Sequence, residues 1–312
     1  MNGKTERRHL ACIGLLTLLV GTAPAQQNPA GPAALEPGVA QFDPAALAVL
    51  TVKRAPTGHL LVQPRINGAD AGWFIFDSGA GVCVISTPHL QRFQLVDAGP
   101  ISAVGSGGGE SARLYRADTL TIGPLTLRGH PLMATDLTFL REHLKEDIAG
   151  VLGYGVLARS IAEIDLESTR ISLHNPSTYN SEGLAWAPLD LSGRVPVIAG
   201  RFEGHEGRFL LDSGGNSGVT FYEPAVQRLR LLDGRALTDA KVGGVGGFAA
   251  TKRGTISSFE LAGRRMQDVP AEFAVEAKGT LADSKRDGAI GIKLLRRFVI
   301  VLDYAGERLA LR

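Results

Sequence analysis

Two short stretches carry the residue types best suited to chemistry: "IFDSG", ending at Gly79, and "LLDSG", ending at Gly214. Each is an apolar run closed by an acid, a hydroxyl and a glycine. One Asp-Ser-Gly alone reads as a turn, because Asp and Ser bond back to nearby backbone and Gly accepts turn dihedrals. Two copies, with Asp77 and Asp212 135 residues apart, suggest more. If two halves of the chain pack about a pseudo-twofold axis, whatever lies near the axis in one half faces its copy in the other. Two carboxyl groups brought within hydrogen-bonding reach cannot both ionise readily, so they share a proton. One can then act as general base on a water while its protonated neighbour donates to a carbonyl oxygen under attack. That is the chemistry of amide hydrolysis without a metal or a covalent intermediate. The Ser78 and Ser213 hydroxyls could bond across the axis, and Gly79 and Gly214 let each chain turn back sharply.

The elements around these turns recur too. "HLLVQPRINGADAGWFIFDSG" matches "VPVIAGRFEGHEGRFLLDSG". A P-x-x-Q-R-[FL]-x-L segment follows each acid, carried by Pro88, Gln91, Arg92, Phe93 and Leu95 and again by Pro224, Gln227, Arg228, Leu229 and Leu231. At an offset of 138, "VGSGGG" (104–109) faces "VGGVGG" (242–247), and the segment from Gly150 faces the one from Gly288. There Gly153, Asp165 and Arg170 meet Gly291, Asp303 and Arg308. Collinear matches of this extent mean a duplicated chain. The expected organisation is a flexible Pro/Ala/Gln-rich leader over 26–44, an N-terminal lobe over 45–182, a linker over 183–189 and a C-terminal lobe over 190–312.

Inside each lobe, runs such as "WFIF", "VCVIS", "RFLL" and "FVIVLDY" are short, rich in β-branched or aromatic residues and bounded by Gly, Asn or Asp, the pattern of strands. Only "TPHLQRFQL", "LTFLREHLKED", "GVLARSI" and their partners have the spacing of short helices. The fold class is all-β, mainly strand with a few short helices, in two homologous lobes expected to be β barrels or sandwiches.

Over residues 57–312 the chain resembles the aspartic proteases of the pepsin and retropepsin superfamily, as a single two-lobed chain whose lobes each look like a bacterial or retroviral retropepsin unit. The resemblance rests on "IFDSG" and "LLDSG" and on the later "VLG" (151–153) and "AIG" (289–291). It implies that Asp77 and Asp212 form a catalytic dyad supported by Ser78, Gly79, Ser213 and Gly214. It also implies that Gly105, Ser106, Gly107 and Gly108, with Gly243, Gly244, Val245 and Gly246, belong to two flaps closing over a peptide or protein substrate, with no cofactor. After its glycine the first turn continues with Ala80, as in retropepsins, whereas the second has Gly215. No hydroxyl follows either Asp-Ser-Gly directly, which points to a mildly rather than strongly acidic activity optimum.

Residues 1–25 read as a secretory signal peptide: Lys4, Arg7 and Arg8, then the apolar "LACIGLLTLLVG", then Ala23-Pro24-Ala25 before Gln26. The expected location is therefore secreted, periplasmic in a Gram-negative source, with no membrane insertion once the signal is removed. The whole chain has 33 basic and 31 acidic residues, and the leader's three basic residues and Glu6 account for that excess. Charge thus gives no argument for nucleic acid. Cys83, alone after processing, reads as a small buried hydrophobe. Scattered histidines without H-E-x-x-H argue against a metal hydrolase, and no G-x-S-x-G or G-K-[ST] element supports a serine hydrolase or a nucleotide site. A two-lobed chain needs no partner copy, so a monomer is expected. The competing reading is a secreted peptide-binding protein that keeps this fold without turnover.

Overall fold

The computed structural model describes residues 12–13 and 32–312. Its organisation follows from one apolar strand in each lobe. Trp73–Phe76, with Phe74, Ile75 and Phe76 buried, pairs antiparallel with Leu60–Val62 (Leu61 opposite Ile75) and parallel with Ile148–Leu152 (Val151 opposite Ile75). Ile148–Leu152 continues antiparallel onto Val84–Ser86, which runs parallel to Leu125–Thr135. Strands buried on both faces read as continuous apolar runs, as these do. The second lobe repeats the ladder. His205–Leu211 lies between Val197–Phe202 (Val197 opposite Leu210) and Gly288–Ile290 (Leu211 opposite Ile290). Gly288–Ile290 pairs with Val219–Phe221, and that strand runs parallel to Arg264–Ala274.

The two cores are filled differently. The second lobe stacks aromatic rings: Phe221 lies 4.7 Å from Phe202 and 5.4 Å from Phe273 between centroids, and Phe209 packs edge-on against Phe259 at 5.0 Å. The first lobe combines Phe74, Phe76 and Phe93 with aliphatic side chains. Cys83 is buried there, its thiol pushed up to about 11 by burial, with the Gly153 N–H donating to its sulfur.

A five-stranded sheet joins the lobes. Ile161–Asp165 pairs antiparallel with its own repeat copy, Val299–Asp303, and the sheet continues into Arg170–His174 on one side and Arg308–Leu311 on the other. Glu163 sits opposite Val301, which is its equivalent at the offset of 138. The pseudo-twofold axis therefore passes between these two residues.

Two connecting segments carry more structure than their composition predicts. Within 183–189, read as a linker, Trp186–Pro188 forms the edge strand next to Arg308–Leu311. Within 26–44, read as flexible, Val39–Phe42 pairs with Leu125–Thr135, and Leu35 is buried. Arg194 Nη1 also donates to the Leu35 carbonyl at 2.6 Å, tying this segment to the second lobe. Backbone pairing to an open sheet edge needs no apolar pattern, which is why composition concealed it. The expected signal peptide lies outside the described residues except for Cys12–Ile13, which runs parallel to the edge of Thr238–Gly244. Among the described residues no helix is long and apolar enough to cross a membrane.

Candidate active site

Each acid sits where its central strand ends and the chain turns. The Asp77 N–H donates to the Leu152 carbonyl and the Asp212 N–H to that of Ile290, both at 2.9 Å, so the last ladder bond of each strand places the acid. Behind each turn passes a glycine with no room for a side chain. A Cβ on Gly153 would come within 2.3 Å of the Ala80 oxygen, and one on Gly291 within 2.5 Å of the Ser217 oxygen.

The two turns interlock. Ser78 Oγ donates to the Leu211 carbonyl (2.7 Å) and accepts the Ser213 N–H (2.9 Å). Ser213 Oγ donates to the Phe76 carbonyl (3.0 Å) and accepts the Ser78 N–H (2.9 Å). Four buried backbone groups are thus satisfied by two hydroxyls from the opposite lobe. The glycines then bring each turn against the other's acid: a methyl on Gly214 would lie 2.3 Å from Asp77 Cγ, and one on Gly79 2.8 Å from Asp212 Oδ1. The extra freedom of Gly215 does not loosen the second turn. Its N–H reaches the Asp212 carbonyl at 3.3 Å and its carbonyl accepts the Ile292 N–H at 2.8 Å, matching the Ala80 bonds to Asp77 and Tyr154.

Both carboxyl groups are buried, and burial raises both pKa values. Asp77 is raised further by the charge of Asp212, against the Gly79 N–H that donates to its Oδ1 at 2.7 Å. Burial is likewise the largest effect at Asp212, which is drawn back by its hydrogen bond with Asp77 and by the N–H groups of Gly214 and Gly215. The pair is therefore suited to holding one proton between them.

The glycine-rich stretches form the ends of two hairpins. Val96–Gly105 with Gly108–Ile122 turns through Ser106 and Gly107, and Thr238–Gly244 with Gly247–Leu261 turns through Val245 and Gly246. The tips meet: the Gly107 N–H donates to the Val245 carbonyl at 2.8 Å, and a Cβ on Gly107 would lie 2.1 Å from the Gly247 nitrogen. Ser106 and Val245 are buried by this contact. Beneath them is a cavity of about 20 Å³, lined among others by Ser106, Asp212, Thr220, Tyr222 and Thr280. That is space for about one water, so a larger occupant requires the tips to part.

Sequence reasoning missed two buried side chains at the turns. His59 Nε2 lies 2.8 Å from the Gly214 carbonyl, and its Nδ1 lies 2.7 Å from Thr57 Oγ1. Tyr304 Oη donates to the Ser78 carbonyl at 2.9 Å. Both lie within the repeated segments but at positions that the two copies do not share. Their only signal was a polar residue standing where the other copy has an apolar one.

The family model described as Aspartyl protease matches the chain twice, over residues 62–156 and 198–294, one match in each lobe. The chain belongs to the aspartyl protease family. None of the curated proteins matches it.

Proposed function

We propose that the protein is an aspartic endopeptidase in which Asp77 and Asp212 activate a water against a peptide bond held between the lobes. The observation that carries this reading is the packing of two buried acids against each other's glycines, with burial and mutual charge favouring a single shared proton. Asp212, which lines the small cavity beneath the hairpin tips, is the ionised base and takes a proton from the attacking water. Asp77 gives its proton to the carbonyl oxygen as the C–O bond to water forms. On collapse the proton on Asp212 passes to the amine nitrogen, the C–N bond breaks, and a proton returns to Asp77. Ser78 and Ser213 hold the turns, and the two glycine-rich tips exclude water when closed.

The substrate is a peptide or protein in extended form. Cys12–Ile13 lying along the Thr238–Gly244 edge supports this, since that edge accepts an extended chain by backbone pairing. The protein acts as a monomer after removal of residues 1–25, outside the cytoplasm, and in the periplasm of a Gram-negative source. The raised carboxyl pKa values support a mildly acidic optimum; a kcat/KM peak below about pH 3 would overturn that part of the reading.

The test is incubation of the purified protein with a mixed peptide library, with and without a statine-containing inhibitor. Cleavage abolished by Asp77→Asn and by Asp212→Asn supports the dyad. Binding without cleavage at every pH identifies a peptide-binding protein instead.

A further inference from the structure

We propose that His59 and Tyr304 are positioning residues that brace the two catalytic turns from opposite lobes, each through the backbone peptide that presents an N–H to an acid. The inference rests on the dyad reading and adds to it.

The two contacts are related but one residue out of register, since the repeat pairs Ser78 with Ser213 and not with Gly214. Tyr304, just after the Val299–Asp303 strand of the second lobe, donates its hydroxyl to the Ser78 carbonyl. The N–H of that same peptide belongs to Gly79 and donates to Asp77 Oδ1 at 2.7 Å. His59, just before the Leu60–Val62 strand of the first lobe, meets the Gly214 carbonyl. The N–H of that peptide belongs to Gly215, which reaches the Asp212 main-chain carbonyl at 3.3 Å and also helps to hold the pKa of its carboxyl down. A donor to a carbonyl polarises the whole peptide and strengthens its N–H as a donor. Each side chain therefore acts on the acid of the other lobe through one peptide unit.

The imidazole has its tautomer set for this. A carbonyl can only accept, so Nε2 carries the hydrogen, and Nδ1 is left to accept the Thr57 hydroxyl. Complete burial lowers the pKa of His59 to about 4, so it stays neutral above that pH. Tyr304 is fully buried, and burial together with the charges of Asp77 and Asp212 and the neighbouring Tyr154 holds its hydroxyl protonated. The titratable and charged groups near the dyad are His59, Tyr304 and Tyr154, with Arg194 over the Tyr154 ring at 5.4 Å, and Tyr222, which lines the cavity with Asp212 and has Arg286 over its ring at 6.0 Å.

Neither brace is duplicated. The strand registers, Leu61 opposite Ile75 and Val197 opposite Leu210, make Val195 the counterpart of His59. The offset of 138 makes Leu166 the counterpart of Tyr304. Both counterparts are buried and apolar. A residue needed only to fill the core would be apolar in both copies. A polar side chain in one copy, spent on a carbonyl of the opposite turn, is suited to making the two acids unequal.

The experiment compares Tyr304→Phe, His59→Leu and His59→Gln with the parent, using a fluorogenic peptide selected from the library. Thermal midpoints are recorded for each variant. Tyr304→Phe is expected to lower kcat about two- to tenfold with little change in KM, the range for one lost neutral hydrogen bond. It should also move the basic limb of the kcat/KM profile, where the shared proton leaves, to higher pH. His59→Leu is expected to lower kcat similarly but to move the acid limb to higher pH, and His59→Gln, which keeps a donor, to recover part of both effects. If His59→Leu does not fold, Thr57→Val, which removes the hydroxyl that fixes the imidazole, takes its place. Lower thermal midpoints with kcat and both limbs unchanged would overturn the inference. Should no peptide be cleaved, the pH dependence of binding of the statine-containing inhibitor reads the same limbs, and unshifted limbs there overturn it equally. Asp77→Asn separates the two claims: an active Asp77→Asn sinks the dyad itself, whereas an inactive one beside unaltered Tyr304 and His59 variants sinks only the braces.

Discussion

The two Asp-Ser-Gly turns are copies in sequence and in backbone bonding, yet their acids occupy different surroundings. Around Asp77 the first turn closes with Ala80, and the Gly214 Cα comes so close that an added methyl would overlap the carboxyl carbon. Around Asp212 the second turn closes with Gly215, and the acid lines the small cavity beneath the hairpin tips. The difference shows how a duplicated chain can turn a symmetric frame to an asymmetric task. The hydroxyls of Ser78 and Ser213 keep the frame symmetric, while single-copy residues set the acids apart.

The largest expected effect comes from removing either acid. Asp77→Asn and Asp212→Asn should each lower kcat by about 10²–10⁴-fold, the usual worth of general acid-base groups. The same variants should be more stable than the parent at neutral pH. A buried carboxyl with a raised pKa binds its proton more tightly folded than unfolded, so stability falls as pH rises from the ordinary carboxylate range through the folded value. Asparagine removes that loss. A thermal midpoint higher by at least about 2 °C at pH 7, shrinking towards pH 4, is expected in calorimetry. A lower midpoint at pH 7 would contradict the burial argument.

Next in size are the glycines that face the opposite acid. Gly214→Ala drives a methyl into the Asp77 carboxyl, a closer clash than Gly79→Ala makes with Asp212. Displacing a reacting group by about 1 Å can cost 10²-fold, so kcat should fall in both and further in Gly214→Ala. Equal losses would mean that the turns are interchangeable after all.

The interlocking serines should behave alike. Ser78→Ala leaves the Leu211 carbonyl and the Ser213 N–H without their hydroxyl partner, and Ser213→Ala does the same to the Phe76 carbonyl and the Ser78 N–H. Each is expected to cost about 1–3 kcal/mol in urea unfolding. A marked difference between them would break the symmetry of the frame.

The smallest effect concerns the hairpin tips. Gly107→Ala places a methyl 2.1 Å from the Gly247 nitrogen and should hold the tips apart, raising KM several-fold with little change in global stability. Stopped-flow binding of the statine-containing inhibitor would report a faster off-rate.

The strands and the duplication were legible because burial on both faces leaves unbroken apolar runs such as "WFIF" and "RFLL", and because close backbone approach at Gly153 and Gly291 allows only glycine. The meeting of the two Asp-Ser-Gly turns followed from the repeat alone. What the residues did not display were contacts made through backbone. Val39–Phe42 and Trp186–Pro188 join sheet edges by main-chain bonds, which composition does not encode. His59 and Tyr304 each spend one polar atom on a carbonyl more than 150 residues away in sequence, and such a bond leaves no spacing to read.

The sheet between the lobes also has a consequence for how the chain is made. Ile161–Asp165 must wait for Val299–Asp303, so a ribosome has to deliver almost the whole polypeptide before the first half can finish its sheet. Pairings so distant along the chain slow folding, and until they form the nascent first half displays an unfilled strand edge. The same edge on a second nascent chain is an equally good match, so crowded synthesis should yield strand-exchanged pairs, each borrowing its missing half from its neighbour.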